Sequence, residues 1–357
     1  MRITRLLLTQ AFIALYILLS LWFLARFALV SHLGDSIDRT PLQAMIDGTA
    51  YRPFVYRLLI PKLTGFIVAL TPEGMQDYMS GAMQSLADSS FLTYFPTIDT
   101  LIREQLSHPA TFYSRMVMLA LVYVCLWGYI IALRNLANFF WPQEPAMAWL
   151  APVFGLILAG GCMYPRMFIY DIPGMCFAAA AYAAMARRRF EWYMLWFLLA
   201  CLNKETAIFL LIFYALWHAR RLDRSTFLTN LLIQGTLYLT VRIGIVVAFR
   251  DNRGVLLENH VYAQIATMLT LHGIETIILF FSFLFMLTCR WREKPLFLRY
   301  VLWLFPMLWL AYIFYGSPGE YRVFMELFPL LTLLITHTLV KCTGLAESSI
   351  FTSLNRR

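Results

Sequence analysis

The stretch RRRFEWYMLWFLLACLNKETAIFLLIFYALWHARR, residues 187–221, decides the fold. Two apolar segments, 190–202 and 205–217, lie between two arginine clusters, with the polar Asn203-Lys204-Glu205-Thr206 between them. Arginine-rich islands stay on the cytoplasmic side of a membrane, so both flanks belong on one side. Each segment is roughly 20 Å of helix at 1.5 Å per residue, against a hydrocarbon core of about 30 Å. This predicts a short hairpin whose tip stops beneath the opposite surface. The competing reading is one long, broken crossing, which would put the arginine clusters on opposite sides. Lys204 and Glu205 must face protein or a wet cavity, because a charge at mid-membrane costs at least about 2.5–3.5 kcal/mol.

Working outward, the remaining basic islands are Arg2/Arg5, Arg134, Arg290-Arg292-Lys294, and Lys341 with Arg356-Arg357. Placing them all in the cytoplasm predicts about ten passes, with both termini inside a bacterial-type inner membrane. The passes fall near residues 6–30, 110–133, 146–163, 172–186, 190–202, 205–217, 226–249, 273–289, 297–315 and 323–340. The expected fold is therefore all-α, a polytopic transmembrane bundle, with residues 1–357 as a single membrane domain. A chain with 61% hydrophobic and 14% charged residues leaves no room for a separate soluble domain. The net charge of +9 sits mostly in these islands, so it does not point to nucleic acid. The segment Leu6–Leu24 is too long for a signal peptide and lacks a small-x-small cleavage site; it reads as an uncleaved first span. None of the six cysteines forms a CxxC pair, and they read as small buried hydrophobes.

Residues 31–109 form a long first outer loop. If the apolar segment 54–70 crossed the membrane, every later basic island would switch sides, so parity makes it re-entrant or surface-lying. Met75, Met79, Met83 and Leu86 recur at helical spacing with Asp77 and Asp88 interspersed. That pattern fits an amphipathic interfacial helix and equally an ordinary loop helix.

With this topology the polar clusters gather on the non-cytoplasmic side. They are Asp35 and Asp38 with Arg39; Arg52, Tyr56 and Arg57; Tyr164-Pro165-Arg166 with Tyr170-Asp171; Lys204-Glu205; and Glu320-Tyr321-Arg322. Arg242 lies near the outer end of the span 226–249, either facing the same cavity or snorkelling upward. Such a ring can hold an anionic head group while a carboxylate takes a proton. Each cluster also has a structural reading. Asp171 can cap its helix, and Ser317-Pro318-Gly319-Glu320 fits a capping box. Arg166 and Arg322 can snorkel to lipid phosphates, and Tyr164 and Tyr170 can anchor at the interface. No HxxxH, HExxH, GxxxxGK[ST] or GxGxxG spacing occurs, which disfavours a zinc hydrolase and direct nucleotide use.

The layout resembles the GT-C-type glycosyltransferases: a first span, a long outer loop opening with acidic residues and holding an apolar segment, then many spans with short outer loops. The stretch from Tyr170-Asp171-Ile172-Pro173-Gly174 to Asn203-Lys204-Glu205-Thr206 is similar to bacterial proteins of that sort. The resemblance implies a polyprenyl-phosphate-linked sugar donor drawn from membrane lipid, and an acceptor hydroxyl on the extracytoplasmic face. Asp35 would be the general base. Asp38 would be a second carboxylate, the two together able to hold a divalent cation such as Mg or Mn. Arg52, Arg57, Arg166, Lys204 and Arg322 would neutralise the leaving lipid phosphate. Tyr56, Asp171, Glu205, Arg242 and Glu320 would complete the substrate-binding set. A transporter or flippase, a polysaccharide polymerase or ligase, and a non-catalytic subunit are the competing functions.

Overall fold

The computed structural model describes residues 2–31, 39–89, 94, 96–106, 111–161, 167–256, 259–270, 274–317 and 320–345, and they are all-helical. In chain order the helices are α1 (Arg2–Ser31), α2 (Leu42–Asp47), α3 (Leu59–Leu70), α4 (Glu73–Ala87), α5 (Pro96–Leu106), α6 (Phe112–Phe140), α7 (Pro145–Gly161) and α8 (Asp171–Ala186). They continue with α9 (Phe190–Asn203), α10 (Ile208–His218), α11 (Arg224–Ala248), α12 (Val261–Thr270), α13 (Ile274–Thr288), α14 (Leu296–Arg299), α15 (Val301–Tyr315) and α16 (Phe328–Cys342). Short 3-10 turns cover Phe54–Tyr56, Glu205–Ala207 and Tyr321–Leu327. Among the described residues there is no strand, only an isolated backbone bridge between Arg52 and Gly254.

Five helical stretches are long and apolar enough to cross a membrane: Leu6–Leu29, Phe112–Phe140, Arg224–Ala248, Leu296–Tyr315 and Arg322–Cys342. Shorter apolar helices fill in between them, including Pro145–Gly161, Asp171–Ala186 and Phe190–Asn203. Together they mark a membrane-spanning protein. The outward face of α11 carries Leu228, Leu232, Leu239, Ile243 and Val247, all more than half exposed. A row of that kind suits lipid, since soluble proteins rarely leave so much contiguous apolar surface open.

The centre of the bundle is α8. Its sequence after Cys176 is Phe-Ala-Ala-Ala-Ala-Tyr-Ala-Ala-Met-Ala, and nearly every side chain in it is buried. Small residues let neighbouring backbones approach, the packing mode favoured where hydrophobic burial offers no bias between lipid and protein. The helices α6 and α9 flank it. Close approach holds on both sides of α6. A Cβ built on Gly155 of α7 would lie 2.5 Å from the Leu133 side chain, and one on Gly128 would lie 2.6 Å from the Cys176 sulfur.

The α9–α10 pair folds back on itself. Lys204 is extended (φ −158°, ψ 148°), which ends α9 before the 3-10 turn opens α10. The ring of Tyr193, near the start of α9, lies 5.2 Å from that of Tyr214, near the end of α10, and Phe190 lies 6.0 Å from the same ring. A continuous helix would hold residues 193 and 214 about 30 Å apart. The hairpin reading is thus the observed one, and the broken single crossing is not. Helix α11 runs along both arms. Tyr193 Oη donates to Gln234 Oε1 at 2.8 Å, and Asn230 Nδ2 donates to Tyr214 Oη at 2.7 Å.

Polar residues collect at the two ends of α8. At its C-terminal end, Arg187 Nη2 donates to the carbonyl of Asn135 at 2.8 Å, and Arg134 stacks over Trp149 at 3.7 Å. Lys341 pairs with Glu144 at 2.8 Å, and Arg221 lies over Trp217 and Tyr300. Lys294 is buried and donates to the carbonyls of Met286 and Leu287 and to Thr338 Oγ1. Among the described residues, the basic islands around Arg134, Arg187, Arg221, Lys294 and Lys341 therefore share one end of the bundle. The N-terminal end of α8 lies about 24 Å away along its 16 residues.

Within the first loop, 54–70 is a 3-10 turn followed by α3, and α3 covers only about 18 Å. The methionine-bearing stretch forms α4 and packs on α5 through Ala87, Met83, Ile102 and Leu106.

Candidate functional site

Four arginines and lysines converge with four carboxylates at the N-terminal end of α8. They arrive on separate elements: Arg57 after the Phe54–Tyr56 turn, Asp171 opening α8, Lys204 and Glu205 at the hairpin tip, Arg242 on α11, and Glu320, Arg322 and Glu326 before α16. The set balances to zero net charge.

An inner half surrounds Asp171, which is almost wholly buried. Its Oδ2 accepts the backbone N–H of Phe168 at 2.8 Å, and Arg322 Nη1 stands 3.3 Å from the same oxygen. Its Oδ1 accepts from Lys204 Nζ at 3.2 Å, and that ammonium also lies 3.4 Å from Glu326 Oε1. The Thr206 hydroxyl donates to Glu326 Oε1, and Arg322 Nη2 donates to Glu320 Oε1. Glu320 Oε2 accepts the Ser317 N–H at 2.9 Å, but the N-cap of the Tyr321–Leu327 turn is Glu320 itself, so the capping box expected from sequence with Ser317 as N-cap does not form.

An outer half surrounds Glu205. Arg57 donates through Nη2 to Glu205 Oε1 at 2.7 Å and through Nη1 to Tyr170 Oη at 2.6 Å. Arg242 Nη2 stands 3.9 Å from Glu205 Oε2, beyond hydrogen-bond reach. The Arg242 guanidinium lies 5.9 Å from the Tyr56 ring centroid, and Tyr238 Oη donates to the backbone carbonyl of Glu205 at 3.0 Å.

An aromatic step joins the halves. The Phe168 and Tyr170 rings stack at 5.3 Å, 5° from parallel. Arg57 lies 4.3 Å from the Tyr170 centroid and Arg322 lies 4.2 Å from that of Phe168. Cation–π contacts of this kind add about 0.5–2 kcal/mol each as they become desolvated. Asn203 Nδ2 donates to the Tyr170 carbonyl at 2.8 Å and pins the loop that carries both rings.

Several buried polar atoms in this region have no hydrogen-bond partner: Arg57 Nε, Arg242 Nη1, Arg322 Nε, Tyr56 Oη, Asn203 Oδ1, Glu205 Oε2 and Glu326 Oε2. Unpaired buried polar groups are uncommon and mark places where water, an ion or a ligand is accommodated. No known protein family, curated protein or solved structure matches the chain. The site is therefore judged on its own chemistry.

Of the residues singled out from sequence, Arg57, Asp171, Lys204, Glu205, Arg242, Glu320 and Arg322 come together, with Tyr56 beside Arg242. Arg52 does not join them. Its Nη2 donates to the Gly254 carbonyl at 2.7 Å and its backbone N–H to the Arg253 carbonyl, so it ties the first loop to the segment after α11. Asp35, Asp38 and Arg166 lie outside the described residues.

Three other structural readings are replaced. Asp171 does not cap its helix forward; it reaches back to Phe168 and across to Lys204 and Arg322. Arg322 does not snorkel, being buried against two carboxylates and a ring. Tyr170 is fully buried and is not an interfacial anchor.

Glu326 and Phe168 were not anticipated. Glu326 sits inside the apolar span assigned to 323–340, and an ionisable residue in such a span is itself the signal. Phe168 gave no signal beyond standing between Arg166 and Asp171. Among the described residues no three His, Cys, Asp or Glu side chains gather as metal ligands would. Each network carboxylate already faces Lys or Arg. Asp35 and Asp38, the cation ligands expected from sequence, lie outside the described residues, and no chemical step is routed through a divalent cation.

Proposed function

We propose that the chain is a membrane glycosyltransferase that moves a sugar from a polyprenyl-phosphate donor to an acceptor hydroxyl on the extracytoplasmic face. In this reading the bundle makes about ten passes through a bacterial-type inner membrane. Both termini and the basic end lie in the cytoplasm, and the 54–70 segment is re-entrant. The hairpin α9–α10 lifts Lys204 and Glu205 only part of the way across.

One observation carries the proposal: four cations from four separate elements meet in a buried, charge-balanced network that retains unpaired N–H donors. Guanidinium groups present several N–H donors in a planar fork suited to phosphate oxygens. As the glycosidic C–O bond breaks, negative charge grows on the departing lipid phosphate. Donors already oriented toward that charge lower the barrier, and removing one from such a site costs about 10²–10³ in kcat. Asp35, with Asp38 near it in sequence, is assigned deprotonation of the acceptor hydroxyl. A single displacement by that hydroxyl inverts the anomeric centre.

The test is sugar transfer in proteoliposomes supplied with a polyprenyl-phosphate sugar donor and an acceptor mixture. Asp35→Asn is expected to abolish turnover while donor binding persists. Wild-type turnover in Asp35→Asn removes Asp35 from the mechanism, and no transfer by the wild-type chain with any such donor removes the transferase reading.

A transporter is the second reading, favoured by the interrupted α9–α10 pair with extended backbone at Lys204. Broken helices of this kind line transport sites. Solute flux without sugar transfer in the same proteoliposomes would select it.

A further inference from the structure

We propose that Glu205 is a built-in anion occupying a phosphoryl seat formed by Arg57, Arg242 and Tyr56, and that a lipid phosphate binds there by displacing it. The ligand's lipid tail rests on the transferase reading; the seat itself does not.

The two halves of the network are not equivalent. In the inner half, Asp171 accepts one backbone N–H and faces two cations within 3.3 Å, and its side chain is wholly shielded. Lys204 stands between two carboxylates. These charges face one another and hold α8, the hairpin tip and the segment before α16 together, while Arg322 Nε and Glu326 Oε2 keep no hydrogen-bond partner.

The outer half is looser. The Glu205 side chain is 33% exposed, against 0–8% for the Asp171, Lys204, Arg322 and Glu326 side chains. One of its oxygens is held by Arg57, while the other has no hydrogen-bond donor. Among the described residues, Arg242 has that same oxygen as its one carboxylate partner, at 3.9 Å, and its Nη1 is unpaired. The Nε of Arg57 and the hydroxyl of Tyr56 are unpaired as well. Two guanidinium groups thus hold unused donors beside a carboxylate that meets only part of their capacity, and the unpaired Tyr56 phenol belongs to the ring next to Arg242. A phosphate monoester or diester carries the same charge sign with more acceptor oxygens, and it would engage donors that Glu205 leaves idle.

The position of Arg242 favours a lipid source over a soluble one. Leu239 and Ile243, which flank it on α11, are 56% and 59% exposed on the apolar outward face. Arg242 therefore stands at the border between lipid-facing surface and buried network. A head group can enter sideways from the bilayer while its chain stays against α11.

The experiment is equilibrium binding of a sugar-free long-chain polyprenyl monophosphate to the full-length chain in nanodiscs, with inorganic phosphate as competitor. Glu205→Gln is expected to bind the lipid about tenfold more tightly, because the internal competitor is gone. Arg242→Gln is expected to bind about tenfold or more weakly, as the loss of a charge-assisted contact does. Unchanged or weaker binding in Glu205→Gln overturns the proposal. If that variant does not fold, Glu205→Ala takes its place, and undiminished affinity in a folded Arg242→Gln overturns the seat independently. Inorganic phosphate that competes as well as the lipid overturns the lipid source. The assay needs no sugar transfer, so a chain that binds as expected yet transfers nothing loses only the transferase reading. Transfer with unaltered phosphate affinity in Glu205→Gln loses only the seat.

Discussion

The two ends of α8 spend their arginines and lysines differently. At the N-terminal end, every cation of the network faces a carboxylate, and the acids and bases come from segments far apart in sequence. At the C-terminal end the cations mostly face carbonyls and rings. Arg187 and Arg221 each donate to a carbonyl four residues back, Lys294 covers the end of α13, and Arg134 and Arg221 lie on tryptophans. The last turn of a helix presents orphan carbonyls and partial negative charge, which such side chains complement. Acid–base partnership ties distant elements together. Cation–carbonyl partnership mostly finishes helix ends, with cross-links from Arg187 to Asn135 on α6 and from Lys294 to Thr338 on α16.

Three substitutions sharpen that contrast. Asp171→Ala leaves Lys204 and Arg322 buried with diminished partners, and is expected to cost about 3–5 kcal/mol, read as unfolding in detergent with denaturant. A loss below about 1 kcal/mol would mean the inner half does not hold the elements together. Lys294→Met, at the opposite end, strips the donor from two carbonyls and a hydroxyl. It is expected to cost about 1–3 kcal/mol by the same measurement, with lipid-phosphate affinity unchanged. A large fall in that affinity would show the two ends to be coupled. Lys341→Met removes a partly exposed pair with Glu144 and is expected to cost less than about 1 kcal/mol, visible as a small shift in midpoint.

Much of the fold was legible because membrane chemistry writes it in composition. Arginine clusters on both sides of two short apolar runs predicted the hairpin, and Tyr193 against Tyr214 realises it. Helices occupy each segment named from sequence, but among the described residues only five stretches have the length and apolarity to cross unaided. Length alone did not reveal how α8, only 16 residues, becomes the best-buried element.

The site was legible where charges stood out against apolar neighbours, as Lys204, Glu205, Asp171 and Arg242 do. It was less legible where orientation decides. Arg52 and Arg57 are five residues apart, yet Arg57 turns into the network while Arg52 pairs with Gly254. Glu326 was masked by the apolar run that follows it. Tyr170 belongs to a type common at interfaces, and its burial depends on rings and guanidiniums contributed from elsewhere.

The order of the eight charged residues along the chain has a consequence for biosynthesis. Read from the N-terminus they are Arg57, Asp171, Lys204, Glu205, Arg242, Glu320, Arg322 and Glu326, so positive and negative alternate without exception. As the ribosome delivers them, the running total of these eight never departs from neutrality by more than one elementary charge. Every later ion finds a paired counter-ion already in place or arriving next, and only Arg57 waits, for Glu205 at the hairpin tip. A growing polypeptide can therefore thread eight ionised groups into a low-dielectric environment without their summed charge ever exceeding that of a single ion.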